Sequence, residues 1–193
     1  IEHAAVGEMM DRLVEDGMEV IYLNNDCNGV FCMEHLQKLI EEQADNIAVV
    51  SLMWCNNETG VIEPIEKATS LCHQHNVLIH SDGTQWVAKM PVDIQQVPVD
   101  LLSFAAHKFH GPKGVGALCA RDGLPVSPLV TGGPQERGRR GGTENVPSIM
   151  GFGVASSEAR NWLTEENISH MESLRDSFES NLLSKFPKSH INS

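Results

Sequence analysis

The stretch that decides the fold runs from Leu101 to Gly116 and reads LLSFAAHKFHGPKGVG. Its apolar first half predicts a buried strand, which stops at His107 and Lys108 before a Gly-Pro-Lys-Gly turn. A lysine at the end of a buried strand is poorly solvated, and this favours the neutral amine that forms Schiff bases. Lys108 is therefore the first candidate for chemistry, although most lysines simply extend into solvent.

A second apolar run, from Val77 to Ser81, ends in Asp82, and Gln85 follows shortly afterwards. The carboxyl ends of parallel strands meet at one edge of an α/β sheet, which is where ligands bind. We therefore expect Asp82 and Lys108 to face one site. Pyridoxal phosphate (PLP) requires two groups of this kind, an acid for its ring nitrogen and a lysine for its aldehyde.

Helical and extended patterns alternate along the rest of the chain. The apolar spacing predicts helices over 4–16, 33–43 and 64–75, and strands over 19–23, 47–53 and 114–120. A further helical pattern runs from Pro147 to the end of the chain. Strands that alternate with helices predict an α/β fold with a right-handed, mostly parallel sheet flanked by helices.

Three segments resemble the cofactor motifs of the cysteine desulfurases and selenocysteine lyases, within the class V aminotransferases. They are HSDGTQ at 80–85, SFAAHK at 103–108 and GPKGVG at 111–116, and the likeness continues at 2–6, 56–60 and 136–143. The resemblance covers essentially the whole chain and implies the PLP-dependent transferase (aminotransferase-like) large domain, truncated at both ends. It implies that 1–160 form part of this PLP-binding domain. Residues 161–193 are expected to lead into a smaller C-terminal domain outside this sequence.

The same resemblance implies roles for four residues on or after the two central strands. Lys108 is expected to bind the PLP aldehyde and then to act as a catalytic base for the substrate α-proton. Asp82 is expected to hold the ring nitrogen protonated, Gln85 to donate to the phenolic oxygen, and His107 to contact the phosphate.

Three further residues acquire roles only through the resemblance. His3 is expected to stack on the cofactor ring and to transfer protons, although a histidine at a helix start is more often a cap. Asn57 is expected near the phenolic oxygen and the substrate carboxylate, although an Asn-rich segment is usually only a turn. Thr143 is expected to reach across a dimer interface to the partner's cofactor phosphate.

The sequence also departs from the family pattern. Ala105 stands where many members have a Ser or Thr that binds the phosphate, and the lost hydrogen bond is worth about 1–3 kcal/mol. The family's sulfur-accepting cysteine and its arginine for the substrate carboxylate are expected outside these 193 residues. The chain alone is therefore expected to be inactive.

Composition excludes several classes of function. A net charge of −12 argues against a nucleic-acid or anionic membrane surface, and the lack of a long apolar run predicts no membrane span. Five cysteines without regular spacing favour the reducing cytoplasm. His73 and His75 point to different faces of their helix and therefore predict no metal pair.

The expected function is that of a homodimeric, PLP-dependent cysteine desulfurase. Such an enzyme converts L-cysteine to L-alanine and an enzyme persulfide, for transfer to a sulfur-acceptor protein in iron–sulfur cluster or thio-cofactor assembly. A selenocysteine lyase acting on selenocysteine, another class V aminotransferase, and a non-catalytic truncated remnant remain alternatives, since the discriminating segments lie outside the sequence.

Overall fold

The computed structural model describes residues 1–191. Its helices are α1 Ala4–Glu15, α2 Met33–Gln43, α3 Ile65–Gln74, α4 Val146–Trp162 and α5 Glu165–Lys185. Its strands are β1 Val50–Met53, β2 Ile79–Asp82, β3 Leu101–Ala105, β4 Gly116–Ala120, β5 Pro134–Gln135 and β6 Arg140–Gly141. Short 3₁₀ helices lie at Ala44–Asn46, Ala106–Phe109 and Glu136–Gly138. No helix within the described chain is both long and apolar enough to cross a membrane.

The main sheet has the strand order β1-β2-β3-β4, and its first three strands are parallel. β4 returns antiparallel to β3, and β5 and β6 form a separate two-stranded hairpin. This confirms the mostly parallel α/β sheet. Met53, Asp82 and Ser103 lie side by side in the register, so the three parallel strands present their carboxyl ends at one edge.

The core forms where α2 and α3 pack against each other and against the sheet. It buries Leu36 and Ile40 of α2 and Ile65 of α3 together with Ile79 and Leu102 of the strands. Complete burial of each such side chain stabilises the fold by about 1.5–3 kcal/mol. These contacts fix the strands, and therefore the edge at which they end.

Two regions differ from the pattern predicted by the sequence. Residues 19–23 form no strand; they line an apolar cavity of about 280 Å³ opposite 46–53 without pairing to β1. The predicted strand is wrong because apolar spacing reports burial, whereas a strand also requires backbone partners. The C-terminal helical pattern is divided at Leu163, because Thr164 caps a new helix by accepting a hydrogen bond from Asn167 N.

A buried ionic cluster fixes the amino-terminal end of the two central strands. Asp100 is 0% exposed; its Oδ2 accepts from Ile79 N at 2.8 Å and lies 3.3 Å from His73 Nε2. Its Oδ1 lies 2.9 Å from Arg121 Nη1. β2 and β3 both start at this cluster, which joins them at the end opposite Met53, Asp82 and Ser103.

A side-chain bridge joins the three parallel strands. His80 on β2 contacts Ser51 Oγ of β1 through Nδ1 at 2.8 Å and Ser103 Oγ of β3 through Nε2 at 3.0 Å. Burial lowers the pKa of His80, while the charge of nearby Asp82 opposes this shift. The neutral imidazole therefore holds together the strands that carry the candidate site.

Candidate functional site

Asp82 ends β2 in a confined position. It is 6% exposed, and its Oδ1 accepts from Thr84 N at 2.9 Å. Gly83 packs so closely on β3 that an added Cβ would lie 2.7 Å from Leu102 Cδ1. Within residues 1–191 no cation lies at ion-pair distance from Asp82. A buried carboxylate is costly without a partner, so the position suits a cationic ligand group.

Lys108 lies half-buried in the 3₁₀ helix that directly follows β3. Two residues that follow Lys108 in this turn, Phe109 and Gly111, are closely packed. Phe109 contacts Phe152 of α4 with ring centroids 5.7 Å apart, and a Cβ on Gly111 would lie 2.8 Å from Ala106 Cβ. The sheet and α4 therefore hold the turn that carries Lys108 in place. His107 lies exposed on the same turn.

Lys89, which the sequence analysis did not identify, contacts Gln85 and lies near the charge of Lys108. Lys89 Nζ donates to Gln85 Oε1 at 2.8 Å, which leaves the Gln85 NH₂ group free to donate elsewhere. Burial lowers the pKa of Lys89, and the positive charge of Lys108 lowers it further. Two lysines thus create a positive potential that suits an anionic ligand. The four-residue spacing of Gln85 and Lys89 is the feature of the sequence from which this contact could have been predicted.

The segment Ile1–His3 lies across the carboxyl end of β1. Glu2 Oε1 accepts from Met53 N at 2.6 Å, and Asn56 Nδ2 donates to the Ile1 carbonyl at 3.0 Å. His3 is exposed and caps α1, since its Nδ1 accepts from Ala5 N at 3.1 Å. The segment therefore lies close to the end of β2, because Met53 pairs with Asp82.

Asn56 organises the turn that contains Asn57. Asn56 is buried, and its Oδ1 accepts from the amides of Glu58 and Thr59. Asn57 itself is exposed at the tip of this turn. The turn presents Asn57 at the same edge, while its buried neighbour provides the rigidity.

Thr143 is exposed in the segment between the β5–β6 hairpin and α4. No hydrogen bond within the described chain joins it to the strand ends. The other predicted residues, in contrast, belong to segments that meet at one edge: the end of β2, the turn after β3, and the Ile1–His3 segment. The role predicted for Thr143 towards a partner subunit stays a prediction.

Glu2 is a partly buried acid that the sequence analysis identified only as part of a motif. Burial raises its pKa to about 7; the bond from Met53 N opposes the rise and the charge of Asp82 adds to it. Its second oxygen, Oε2, is buried without a hydrogen-bond partner within 1–191. A buried, unpaired oxygen is unusual in a purely structural role, so Glu2 adds to this edge as a candidate site.

The class V aminotransferase family model matches residues 1–191. The chain belongs to this family. It is 41% identical over 191 residues to the cysteine desulfurase NifS of Azotobacter vinelandii, covering 99% of this chain and 46% of that protein. It is 40% identical over 192 residues to the cysteine desulfurase IscS of Methanosarcina thermophila, covering 100% of this chain and 46% of that protein. The chain therefore spans about half the length of these curated relatives.

Solved structures give the same family. A NifS-like protein with 44% identity has a TM-score of 0.89, with 95% of this chain and 50% of that one covered. A NifS-like protein from Rickettsia africae with 27% identity has a TM-score of 0.90, with 100% and 52% covered. The overlap shows that this class V chain has the NifS-like fold.

Class V aminotransferases depend on PLP, and the donor set at this edge fits that cofactor. Asp82 is a buried carboxylate with one backbone donor and no cationic partner within the described residues, which suits a protonated pyridine nitrogen. Lys108 supplies a primary amine from a packed turn, and Gln85 supplies a free amide donor.

Proposed function

We propose that the protein carrying this class V chain is a PLP-dependent cysteine desulfurase, which converts L-cysteine to L-alanine and an enzyme persulfide. The observation that carries the proposal is the buried Asp82 at the end of β2, one strand away from the packed turn that bears Lys108. The names of the relatives support the substrate. They include cysteine desulfurases, and the matched structures include a protein named SspA in complex with cysteine.

Each residue of the candidate site would have a distinct role towards the cofactor. PLP, when bound, supplies an electron sink for the charge that develops at the substrate α-carbon. The Asp82 carboxylate would keep a proton on the ring nitrogen. The Gln85 NH₂ group would donate to the phenolic oxygen, and Lys89 fixes the orientation of that amide. His107, on the lysine-bearing turn, would contact the phosphate.

Proton transfer is assigned to two groups. Lys108 Nζ would hold the cofactor aldehyde, and it is the group placed to take the α-proton of the substrate. His3 would stack on the ring and would move a proton at Nε2, because its Nδ1 already accepts from Ala5 N. Asn57 orients the substrate carboxylate from the turn that Asn56 builds.

The proposal extends to the assembled protein. We place the PLP-binding domain at 1–160 and a connection to a second domain at 161–193, in a cytoplasmic homodimer in which Thr143 reaches the partner's cofactor phosphate. Exposed apolar side chains on α5, at Met171, Leu174 and Phe178, support a further packing partner for that helix. A sulfur-acceptor protein for iron–sulfur cluster or thio-cofactor assembly would take the persulfide.

The test is a substrate comparison with the purified protein that carries this chain. We expect alanine and reductant-released sulfide from L-cysteine, with Lys108→Ala and free PLP as blanks. Faster turnover of L-selenocysteine with none of L-cysteine would establish a selenocysteine lyase, and amino transfer to a 2-oxo acid without sulfide would establish another class V activity. Turnover no faster than free PLP on every substrate would indicate a non-catalytic remnant.

A further inference from the structure

Glu2 connects the Ile1–His3 segment to the sheet by a short, partly buried contact. Its Oε1 accepts from Met53 N at 2.6 Å, and this amide belongs to the last residue of β1. On the other side of the segment, buried Asn56 donates to the Ile1 carbonyl at 3.0 Å. Two anchors therefore precede His3 directly and define the path of the backbone at that residue.

His3 is held from its other side by α1. Its Nδ1 accepts from Ala5 N at 3.1 Å, so this nitrogen carries no proton while the contact exists. A neutral imidazole with an unprotonated Nδ1 bears its hydrogen on Nε2. The ring thus offers a single N–H donor, and its direction depends on where the backbone of Glu2 and His3 is fixed.

We propose that Glu2 is a positioning residue, whose carboxyl group pins Ile1–His3 to the end of β1 and so keeps the His3 imidazole in its Nε2–H form beside the Asp82 edge. This inference rests on the proposed function only for the use of His3 in proton transfer. The anchoring itself belongs to the protein without cofactor.

The contact requires an acceptor oxygen and no negative charge. Burial, first of all, raises the pKa of Glu2 to about 7, with the Met53 bond opposing the rise and the charges of Asp82 and Glu63 adding to it. The carboxyl group is therefore largely uncharged below neutral pH and still accepts from Met53 N. An amide oxygen fulfils the same task, so glutamine is the conservative replacement.

The direct test is ¹⁵N NMR of histidine-labelled, cofactor-free protein carrying the full chain. We expect the His3 resonances of the wild type and of Glu2→Gln to show an unprotonated, hydrogen-bonded Nδ1. Glu2→Ala should shift them towards the averaged tautomers of a free histidine. Glu8→Ala, an exposed acid on α1, is the matched control and should leave them unchanged. Unchanged His3 resonances in Glu2→Ala would overturn the proposal.

The second test measures turnover in the cofactor-loaded protein. We expect Glu2→Ala to lower kcat by about 10²-fold with little change in KM, the loss that a misplaced catalytic group causes, and Glu2→Gln to restore it. The double variant Glu2→Ala/His3→Ala should be no slower than His3→Ala alone. Multiplied losses would overturn the proposal, because Glu2 would then act through another group.

Two outcomes separate this inference from the proposed function. A wild-type protein without desulfurase turnover contradicts the proposed function, whereas the NMR comparison still decides the role of Glu2. If Glu2→Ala does not fold, Glu2→Leu, which keeps the bulk and removes the acceptor, decides the question: averaged His3 tautomers support the anchor, and a wild-type His3 spectrum overturns it.

Discussion

One buried aspartate lies at each end of the pair of central strands: Asp100 directly precedes β3, and Asp82 ends β2. The two residues differ in how their charge is neutralised. Asp100, at the amino-terminal end, lies against Arg121, His73 and the Ile79 amide, all from the chain itself. Asp82, at the carboxyl end, accepts from the Thr84 amide and has no cationic partner within residues 1–191.

This difference separates a structural acid from a ligand-binding acid. Burying a carboxylate costs free energy, and a protein recovers it by pairing the charge internally or by leaving the charge for a ligand. Asp100 is paired with groups of the chain itself, whereas the charge of Asp82 is left for a ligand. The predictions below test this contrast from the largest expected effect to the smallest.

Asp100→Ala should lower the free energy of unfolding by about 3–5 kcal/mol, because Arg121 loses its partner and the Ile79 amide stays buried without an acceptor. Urea denaturation measures the loss. Asp122→Ala, an exposed neighbour of the same charge, is the control and should change stability by less than about 0.5 kcal/mol. An equally small loss of stability in Asp100→Ala would show that Asp100 is not a structural acid.

Asp82→Asn should lower kcat by about 10²–10³-fold, since an amide does not hold the ring nitrogen protonated. Its free energy of unfolding without cofactor should stay within about 1 kcal/mol of wild type, because the amide oxygen still accepts from Thr84 N. Asp93→Asn is the matched control for Asp82→Asn, since the exposed Asp93 accepts from Gln95 N in the same way. Near-normal turnover in Asp82→Asn would exclude its cofactor role.

Glu2→Gln should stabilise the cofactor-free protein by about 1–3 kcal/mol at pH 8 and by much less at pH 5. The pKa of Glu2 is raised by burial from 4.5 to about 7, so the folded state binds this proton more tightly. The wild type therefore loses stability as the pH rises from about 4.5 to 7, and glutamine avoids that loss. Denaturation at several pH values measures the gap, with Glu8→Gln as a flat control. A stability difference between Glu2→Gln and wild type that does not change with pH would refute the raised pKa of Glu2.

Ser103→Ala should lower the free energy of unfolding by about 1 kcal/mol, because His80 Nε2 loses its partner at 3.0 Å. Burial lowers the pKa of His80, so its folded state resists protonation and wild-type stability declines as the pH falls below about 6.5. The exposed Ser70→Ala serves as control. Loss of cofactor binding together with unchanged stability would instead place Ser103 in the ligand site.

Local patterns in the sequence predicted much of this edge. The ends of the apolar runs at Asp82 and before Lys108 coincide with strand ends, and the parallel register brings them to adjacent positions. The residues that support them were not predictable, because Glu2, Lys89 and Asp100 acquire their roles from contacts with distant parts of the chain. Strand pairing also depends on distant segments of the chain, which explains why the strand predicted at 19–23 is wrong.

The central claim is that Lys108 and Asp82 form a PLP site. The most direct measurement is borohydride reduction of the cofactor-loaded protein, followed by peptide mapping of the labelled lysine. The account predicts a single label on Lys108, no label in Lys108→Ala, and a retained label in Lys113→Ala, an exposed lysine nearby. Because Lys89 lies close to Lys108, it is the strictest comparison. A label on Lys89, or full labelling of Lys108→Ala, would contradict the account.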